Sequence, residues 1–318
     1  MNLVLFFTYK TTIEDWVETG LFQREIKLYN DLSKKGVNIS FVTYDYMDLS
    51  NLLNKYGIQH VPICAKKGDN SSHIKIAYCF FKLLINNKET FSSANIIKTN
   101  QMKGAWYPII LKIFFRKSLF VRTGYDLFEF SIRNHSSILK KIFFWLITQI
   151  SIIFSSLYTV TSESDKKLLE KRFLTFNKDI YVRNNWVETT NYQDPEQRAD
   201  RILLSVGRLE EQKNYKLLIE KLEGSDFKIH IIGDGKQKRF LLNYAEQKNV
   251  DLKIFNKVSN DELMEIYLKY RFFILPSSFE GNPKVLLEAM SRGCVSIVSN
   301  IDNHIEIIDN NFNGFLVD

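Results

Sequence analysis

Two stretches decide the fold: Ile202-Leu203-Leu204-Ser205-Val206-Gly207-Arg208 and Lys228-Ile229-His230-Ile231-Ile232-Gly233-Asp234-Gly235. Each is a short, largely apolar run that ends on glycine. Short apolar runs closed by a turn signal read as buried strands. Residues 214–222 and 236–248 follow them with helical spacing. The alternation continues: strand 252–255 and helix 260–269, strand 271–275 and helix 284–291, strand 295–299 and helix 303–309. Strand and helix in strict alternation predict an α/β chain with a doubly wound parallel sheet.

The first half opens in the same way. Leu3 to Phe7 reads as a buried strand. It does not read as a signal peptide, because no basic segment precedes it and no small-residue cleavage site follows. An amphipathic helix over about 14–35 is expected next, with Val17, Leu21, Ile26, Leu28 and Leu32 largely on one side and Gly36 at its close. Strand 38–43 completes a βαβ unit. Further strands are expected at 119–123 and 157–161. The run Ile142 to Val160 is long enough to be mistaken for a membrane span, but it carries Thr148, Gln149, Ser151, Ser155, Ser156 and Thr159. It divides better into a helix over 137–154 and the strand at 157–161. The polar stretch 188–200 reads as a linker. Two domains are therefore expected, 1–190 and 191–318.

Composition agrees with two globular domains. The 318 residues are too many for one ordinary domain, and 45% hydrophobic with 25% charged residues excludes a largely disordered chain. Cys64, Cys79 and Cys294 are too scattered for a disulfide framework or a zinc knuckle, which favours a reducing compartment. The charge is uneven. Residues 1–190 hold 26 Lys+Arg against 16 Asp+Glu, or +10, and residues 191–318 hold 17 against 20, or −3. The densest basic stretch, 98–141, is interleaved with aromatics such as Trp106, Phe114 and Phe143. Basic with aromatic suits an anionic membrane surface. It also fits nucleic acid, or simply a solvated helix face beside a core.

In open α/β sheets ligands bind where strands feed helix N-termini, so the loops after the strands matter most. The first of them holds Gly207, Arg208 and Lys213: a close-approach residue with two cations suited to a diphosphate, or two inert surface cations. Gly233-Asp234-Gly235 begins like a dinucleotide fingerprint, but position 238 is Lys, and a plain tight turn explains it equally. After strand 271–275 comes Pro276 to Met290, with Glu280 in the loop, Gly281-Asn282-Pro283-Lys284 at a helix start, and Glu288 on the helix. Carboxylates accept hydrogen bonds from vicinal diols, and a helix N-terminus offers amides to an anion.

These residues together resemble a family 4 glycosyltransferase of the GT-B type, with two Rossmann-like domains facing across a cleft. The resemblance rests on Ser205-Val206-Gly207-Arg208…Lys213-Asn214, on Ile232-Gly233-Asp234-Gly235, and on Phe279-Glu280-Gly281-Asn282-Pro283…Glu288-Ala289. In the first half Trp16…Gly20 with Arg24-Glu25, Lys98-Thr99-Asn100-Gln101 and Arg122-Thr123-Gly124-Tyr125 look similar to members that build surface polysaccharides. The resemblance implies an acceptor-binding N-terminal domain and a donor-binding C-terminal domain. Arg208 and Lys213 would hold the donor diphosphate, and Glu288 the ribose. Glu280, with the amides of Gly281, Asn282 and Lys284 around Pro283, would hold the transferred sugar. Val258 would meet the base, and Gly207, Gly233 and Gly235 would line the donor pocket. Gly20 would close over the phosphates. It implies transfer with retention from a nucleotide-diphosphate sugar to a glycan or lipid-linked acceptor, at the cytoplasmic membrane face. No Asp-x-Asp is present, so no metal or other cofactor is expected. Family members usually continue for about fifty residues past the point matching Asp318, so the second domain reads as cut short. The alternatives are a sugar-nucleotide epimerase of the same fold and an inactive homologue acting as a binding subunit. Nucleic-acid binding comes last, because a Glu pair would repel a phosphate backbone.

Overall fold

The computed structural model describes residues 1–64, 72–189 and 198–318. It divides into two compact units. One comprises Met1–Thr161 with Asp165–Arg183, and the other Ser162–Ser164 with Asn184–Asp318. Of the stretch read as a linker, residues 190–197 lie outside the described residues, while Ala199 and Asp200 already belong to a strand.

The first unit is built on strands β1 (Asn2–Phe6), β2 (Asn38–Thr43), β3 (Ile58–Pro62), β4 (Ile96–Thr99), β5 (Ser118–Arg122), β6 (Leu157–Val160) and β7 (Ile180–Val182). Among the described residues they form one sheet in the order β3-β2-β1-β4-β5-β6-β7, with parallel pairing throughout. The chain moves outward from β1 to β3 and returns to the other side of β1 with β4. That reversal opens a crevice at the carboxyl ends of β1 and β4. Two segments quoted from the sequence, 98–101 and 122–125, meet there. Arg122 N donates to Thr99 Oγ1 at 3.1 Å and Gly124 N to Gln101 Oε1 at 2.9 Å. Lys98 Nζ donates to Tyr29 Oη at 3.0 Å, and burial, with Arg122 acting in the same direction, pushes this amine down to about 7.

The helix expected over 14–35 is two helices, Ile13–Glu18 and Leu21–Lys34. Thr12 starts the first with a reciprocal cap. Its hydroxyl accepts from Asp15 N at 2.9 Å, and the Asp15 carboxylate accepts from Thr12 N at 2.7 Å. Gly20 lies between the helices with φ of 69°, a left-handed conformation that breaks the repeat. The phase resets at this point. The buried stripe of the second helix is Phe22, Ile26 and Tyr29, while Val17 and Leu28 face solvent.

Helices His73–Asn86, Trp106–Phe115 and Ile138–Phe154 adjoin one another, with ring contacts Phe80–Tyr107 at 4.2 Å and Trp106–Phe143 at 6.0 Å. Each leaves large apolar side chains in solvent. These are Ile74, Tyr78, Phe81 and Ile85 on the first, Phe114 on the second, and Leu139, Ile142 and Phe143 on the third. The run once weighed as a membrane span is helix Ile138–Phe154 followed by β6. Among the described residues no helix is long and apolar enough to cross a membrane.

The second unit holds β8 (Ala199–Val206), β9 (Lys228–Ile232), β10 (Leu252–Phe255), β11 (Tyr270–Leu275), β12 (Val295–Ser299) and β13 (Phe315–Val317). The described strands form a parallel sheet in the order β10-β9-β8-β11-β12-β13. Successive side chains point to opposite faces, and the core divides accordingly. Leu204, Phe273, Leu275 and Val298 face helices Asn260–Tyr267 and Lys284–Ser291, meeting Leu263, Tyr267, Leu286 and Ala289. Leu203, Ile229, Ile231 and Ile274 face helices Tyr215–Lys221 and Lys238–Gln247. The helix expected over 303–309 is one turn, Asp302–Ile305.

The Gly20 conformation is open to measurement. Gly20→Ala places a Cβ in left-handed backbone and is expected to cost about 1 kcal/mol of stability. Urea unfolding reads this directly, and an unchanged midpoint would mean the helix break needs no left-handed residue.

Candidate active site

Of the sequence-predicted residues of the second unit, Gly207, Arg208, Lys213 and Glu280 to Lys284 lie at the carboxyl ends of β8 and β11, where the strand order of that sheet reverses, while Gly233 and Gly235 follow β9 and Val258 follows β10. After β8 the chain passes Gly207 and exposed Arg208 and makes a 3-10 turn over Glu211–Lys213. After β11 it runs through Pro276 to Pro283 before helix Lys284–Ser291. The two loops are joined by backbone and amide hydrogen bonds. Ser278 N donates to Gln212 O at 2.9 Å, and Gln212 Nε2 donates to Phe279 O at 2.9 Å.

At their centre lies an ion pair. Lys213 Nζ donates to Glu280 Oε1 at 2.5 Å, with both side chains only about a tenth exposed. Ser277 Oγ donates to the same oxygen at 2.6 Å. Two donors on one carboxylate oxygen fix its position. Removing a single partner from such a buried pair strands an uncompensated charge. Asn282 is held as firmly: Asn185 N donates to its Oδ1 at 3.0 Å, and Asn185 Nδ2 to its carbonyl at 2.5 Å. Pro283 occupies the N-cap position of the helix and supplies no side-chain cap.

Glu288 differs from Glu280. It is wholly buried, and its partners include Asn260 Nδ2 and Tyr267 Oη, which donate to it at 3.3 and 3.5 Å. Val258 packs at the edge of the core beneath it. Gly20 belongs to the first unit, between its two helices.

The glycines have a more structural part than a phosphate cradle alone would give them. A Cβ built on Gly233 would fall 1.9 Å from Gly207 O, and one on Gly235 2.5 Å from Leu209 O. Backbone runs against backbone here: Gly207 N donates to Ile232 O at 3.1 Å and Leu209 N to Asp234 O at 2.9 Å. Close approach of backbone to backbone thus gives both glycines a structural reason that is independent of any ligand. Among the described residues no group of three or more His, Cys, Asp or Glu could hold a metal.

Sequence reasoning missed a polar chain behind the ion pair. Ser299 Oγ donates to Ser277 O at 2.5 Å, and His304 Nδ1 lies 2.9 Å from Ser299 O. Two serines in an apolar strand and loop gave no signal. A lone His after β12 gave a faint one.

With this geometry in view, comparison with known proteins becomes specific. Solved structures share the architecture across essentially the whole chain. A lipopolysaccharide outer core galactosyltransferase, WaaB, aligns with TM-score 0.68 at 21% identity, covering 100% of this chain and 86% of that one. Sucrose-phosphate synthase from Thermosynechococcus elongatus aligns with TM-score 0.77 at 13% identity, covering 100% and 86%. The fold is GT-B. Residues 188–318 match the family described as Glycosyl transferases group 1. Among curated relatives, the UDP-Gal:alpha-D-GlcNAc-diphosphoundecaprenol alpha-1,3-galactosyltransferase of Escherichia coli is 34% identical over 125 residues, 37% of this chain and 32% of that protein. The lipopolysaccharide 1,6-galactosyltransferase of Escherichia coli K12 is 31% identical over 148 residues, 43% and 41% respectively. The chain spans less than half the length of the curated relatives it matches.

Within this GT-B frame, the contact between the β8 and β9 loops can be tested alone. Gly233→Ala cannot be accommodated without separating the two backbones, and a loss of roughly 3 kcal/mol is expected. A wild-type urea midpoint would contradict the close approach.

Proposed function

We propose that this chain is a retaining glycosyltransferase of family 4, moving a sugar from a nucleotide-diphosphate sugar to a glycan or lipid-linked acceptor. The observation that carries the reading is the buried Lys213–Glu280 pair at the switch point of the second sheet. It puts a cation for a phosphate and a carboxylate for hydroxyls in one place, beside an uncapped helix N-terminus. The group 1 match over 188–318 covers all of these residues.

Arg208 and Lys213 take the diphosphate, offsetting the charge that grows on it as the glycosidic bond breaks. Glu280 and the amides of Gly281, Asn282 and Lys284 hold the sugar, and Glu288 takes the ribose diol in place of its long bonds to Asn260 and Tyr267. Val258 lies on the side of the base. The anomeric carbon loses its bond to the diphosphate oxygen and gains one to the acceptor oxygen on the same face, and the departing diphosphate accepts the acceptor's proton. Positioned cations and amides suffice for this chemistry, so the reading assigns no protein nucleophile and no metal. The β1–β4 crevice with Asn100 and Gln101 takes the acceptor.

The two glutamates separate this reading from a structural role. A contact to the moving sugar strengthens in the transition state, and a contact to the ribose does not. Glu280→Gln is expected to lower kcat roughly 10- to 100-fold with little change in donor KM. Glu288→Gln is expected to raise donor KM several-fold more than it lowers kcat. Steady-state kinetics with labelled donor decide, and wild-type kinetics in both variants would refute the proposal.

A lipid-linked acceptor also calls for a membrane surface. The apolar stripes of helices His73–Asn86, Trp106–Phe115 and Ile138–Phe154, flanked by Lys75, Lys82, Lys117, Lys140 and Lys141, suit the cytoplasmic face of an anionic bilayer. Co-sedimentation with anionic vesicles is expected to exceed that with neutral ones and to fall as salt rises, since charges are screened within about 10 Å at 0.1 M salt. Binding indifferent to lipid charge and salt would exclude this face as the docking surface.

A further inference from the structure

Behind the ion pair the interior holds an imidazole that the proposed mechanism does not use. His304 is fully buried in the one-turn helix Asp302–Ile305. Its Nδ1 lies 2.9 Å from the carbonyl oxygen of Ser299. A carbonyl can only accept, so Nδ1 carries the proton. Nε2 is buried, with no hydrogen-bond partner among the described residues. A proton there would create a buried N–H with nothing to receive it, on a ring now positively charged. The geometry therefore admits the neutral imidazole and works against the cation.

The bond from His304 is the first of a series. It holds the Ser299 backbone, whose Oγ donates to Ser277 O at 2.5 Å. Ser277 in turn donates from Oγ to Glu280 Oε1 at 2.6 Å, the oxygen that also receives Lys213 Nζ. We propose that His304 is the positioning residue for Glu280, acting through Ser299 and Ser277, and that it does so only while unprotonated.

The charges around it support this. Burial is the main influence holding the His304 imidazole below its ordinary value; the Lys213 ammonium acts in the same direction, while the Ser299 carbonyl and the Glu280 carboxylate oppose them. Protonation would set a second cation near Lys213, competing for the one carboxylate that balances it. The folded-state value lies below the unfolded one, so the unfolded chain takes the proton first. Stability tied to this residue is complete well above pH 6.5 and declines as the pH falls below it.

The proposal rests on the glycosyltransferase reading for its kinetic test only. His304→Asn keeps a donor where Nδ1 stood and removes the titration, whereas His304→Leu removes both. In transfer assays His304→Leu is expected to lower kcat roughly tenfold with little change in donor KM, because a displaced carboxylate is felt in the transition state. His304→Asn is expected to stay within about threefold of wild type and to flatten the acid limb of the kcat profile. Side-chain carboxyl NMR reads the same linkage without turnover. The Glu280 resonance of the wild-type protein should move with the His304 titration, and in His304→Asn and His304→Leu that movement should vanish. Should no protein transfer sugar, the glycosyltransferase reading fails while the NMR arm still decides for His304. A Glu280 resonance indifferent to His304, or wild-type kcat in His304→Leu, overturns the proposal.

Discussion

The candidate site depends on one close approach, that of the chain leaving β8 to the chain leaving β9. Gly207 and Leu209 donate backbone hydrogen bonds to the strand end and turn at Ile232 and Asp234, at a separation no side chain could share. This contact sets the height at which the β8 loop leaves the sheet. The 3-10 turn that follows brings Lys213 back under Glu280. The β11 loop is then tied to the first by Gln212. A buried charge pair needs such a frame: its attraction offsets desolvation only when the geometry is fixed and further hydrogen bonds complete it.

Much of the second unit was legible from residues alone. Its strands are short apolar runs between turns, and β9, β10 and β12 fall where periodicity put them. The first unit was less so. Strand β3 carries Gln59 and His60 among its five residues, and β7 has only three residues, so neither offers a clear apolar run. Helix Ile13–Glu18 was merged with its successor because a single glycine inside a helical pattern lowers propensity without announcing a left-handed turn. Helix His73–Asn86 is apolar around much of its circumference, which blurs the period a sequence reader relies on.

The site divides in the same way. Lys213 and Glu280 could be singled out because they sit in loops that follow strand ends, and the structure brings them together, with Glu288 on the helix that follows. Whether Glu288 lies open or buried could not be read in this way, since that depends on Asn260 and Tyr267 from a helix elsewhere in the sequence. Ser277 and Ser299, to which His304 is bound locally, come together only through the register of β11 with β12. Tertiary pairing of this kind leaves no trace in local spacing.

Under the proposed reading the Lys213–Glu280 pair would also work as a conjunction. Each partner satisfies the other, so neither is available to half a ligand. An anion arriving alone must draw Lys213 away and leave a buried carboxylate uncompensated, and a neutral polyol arriving alone must do the reverse. A molecule that carries phosphate and hydroxyls at matched spacing replaces both partners at once. If the pair binds a donor as proposed, one contact would test for two chemical groups together and discriminate against free phosphate and free sugar by the same means.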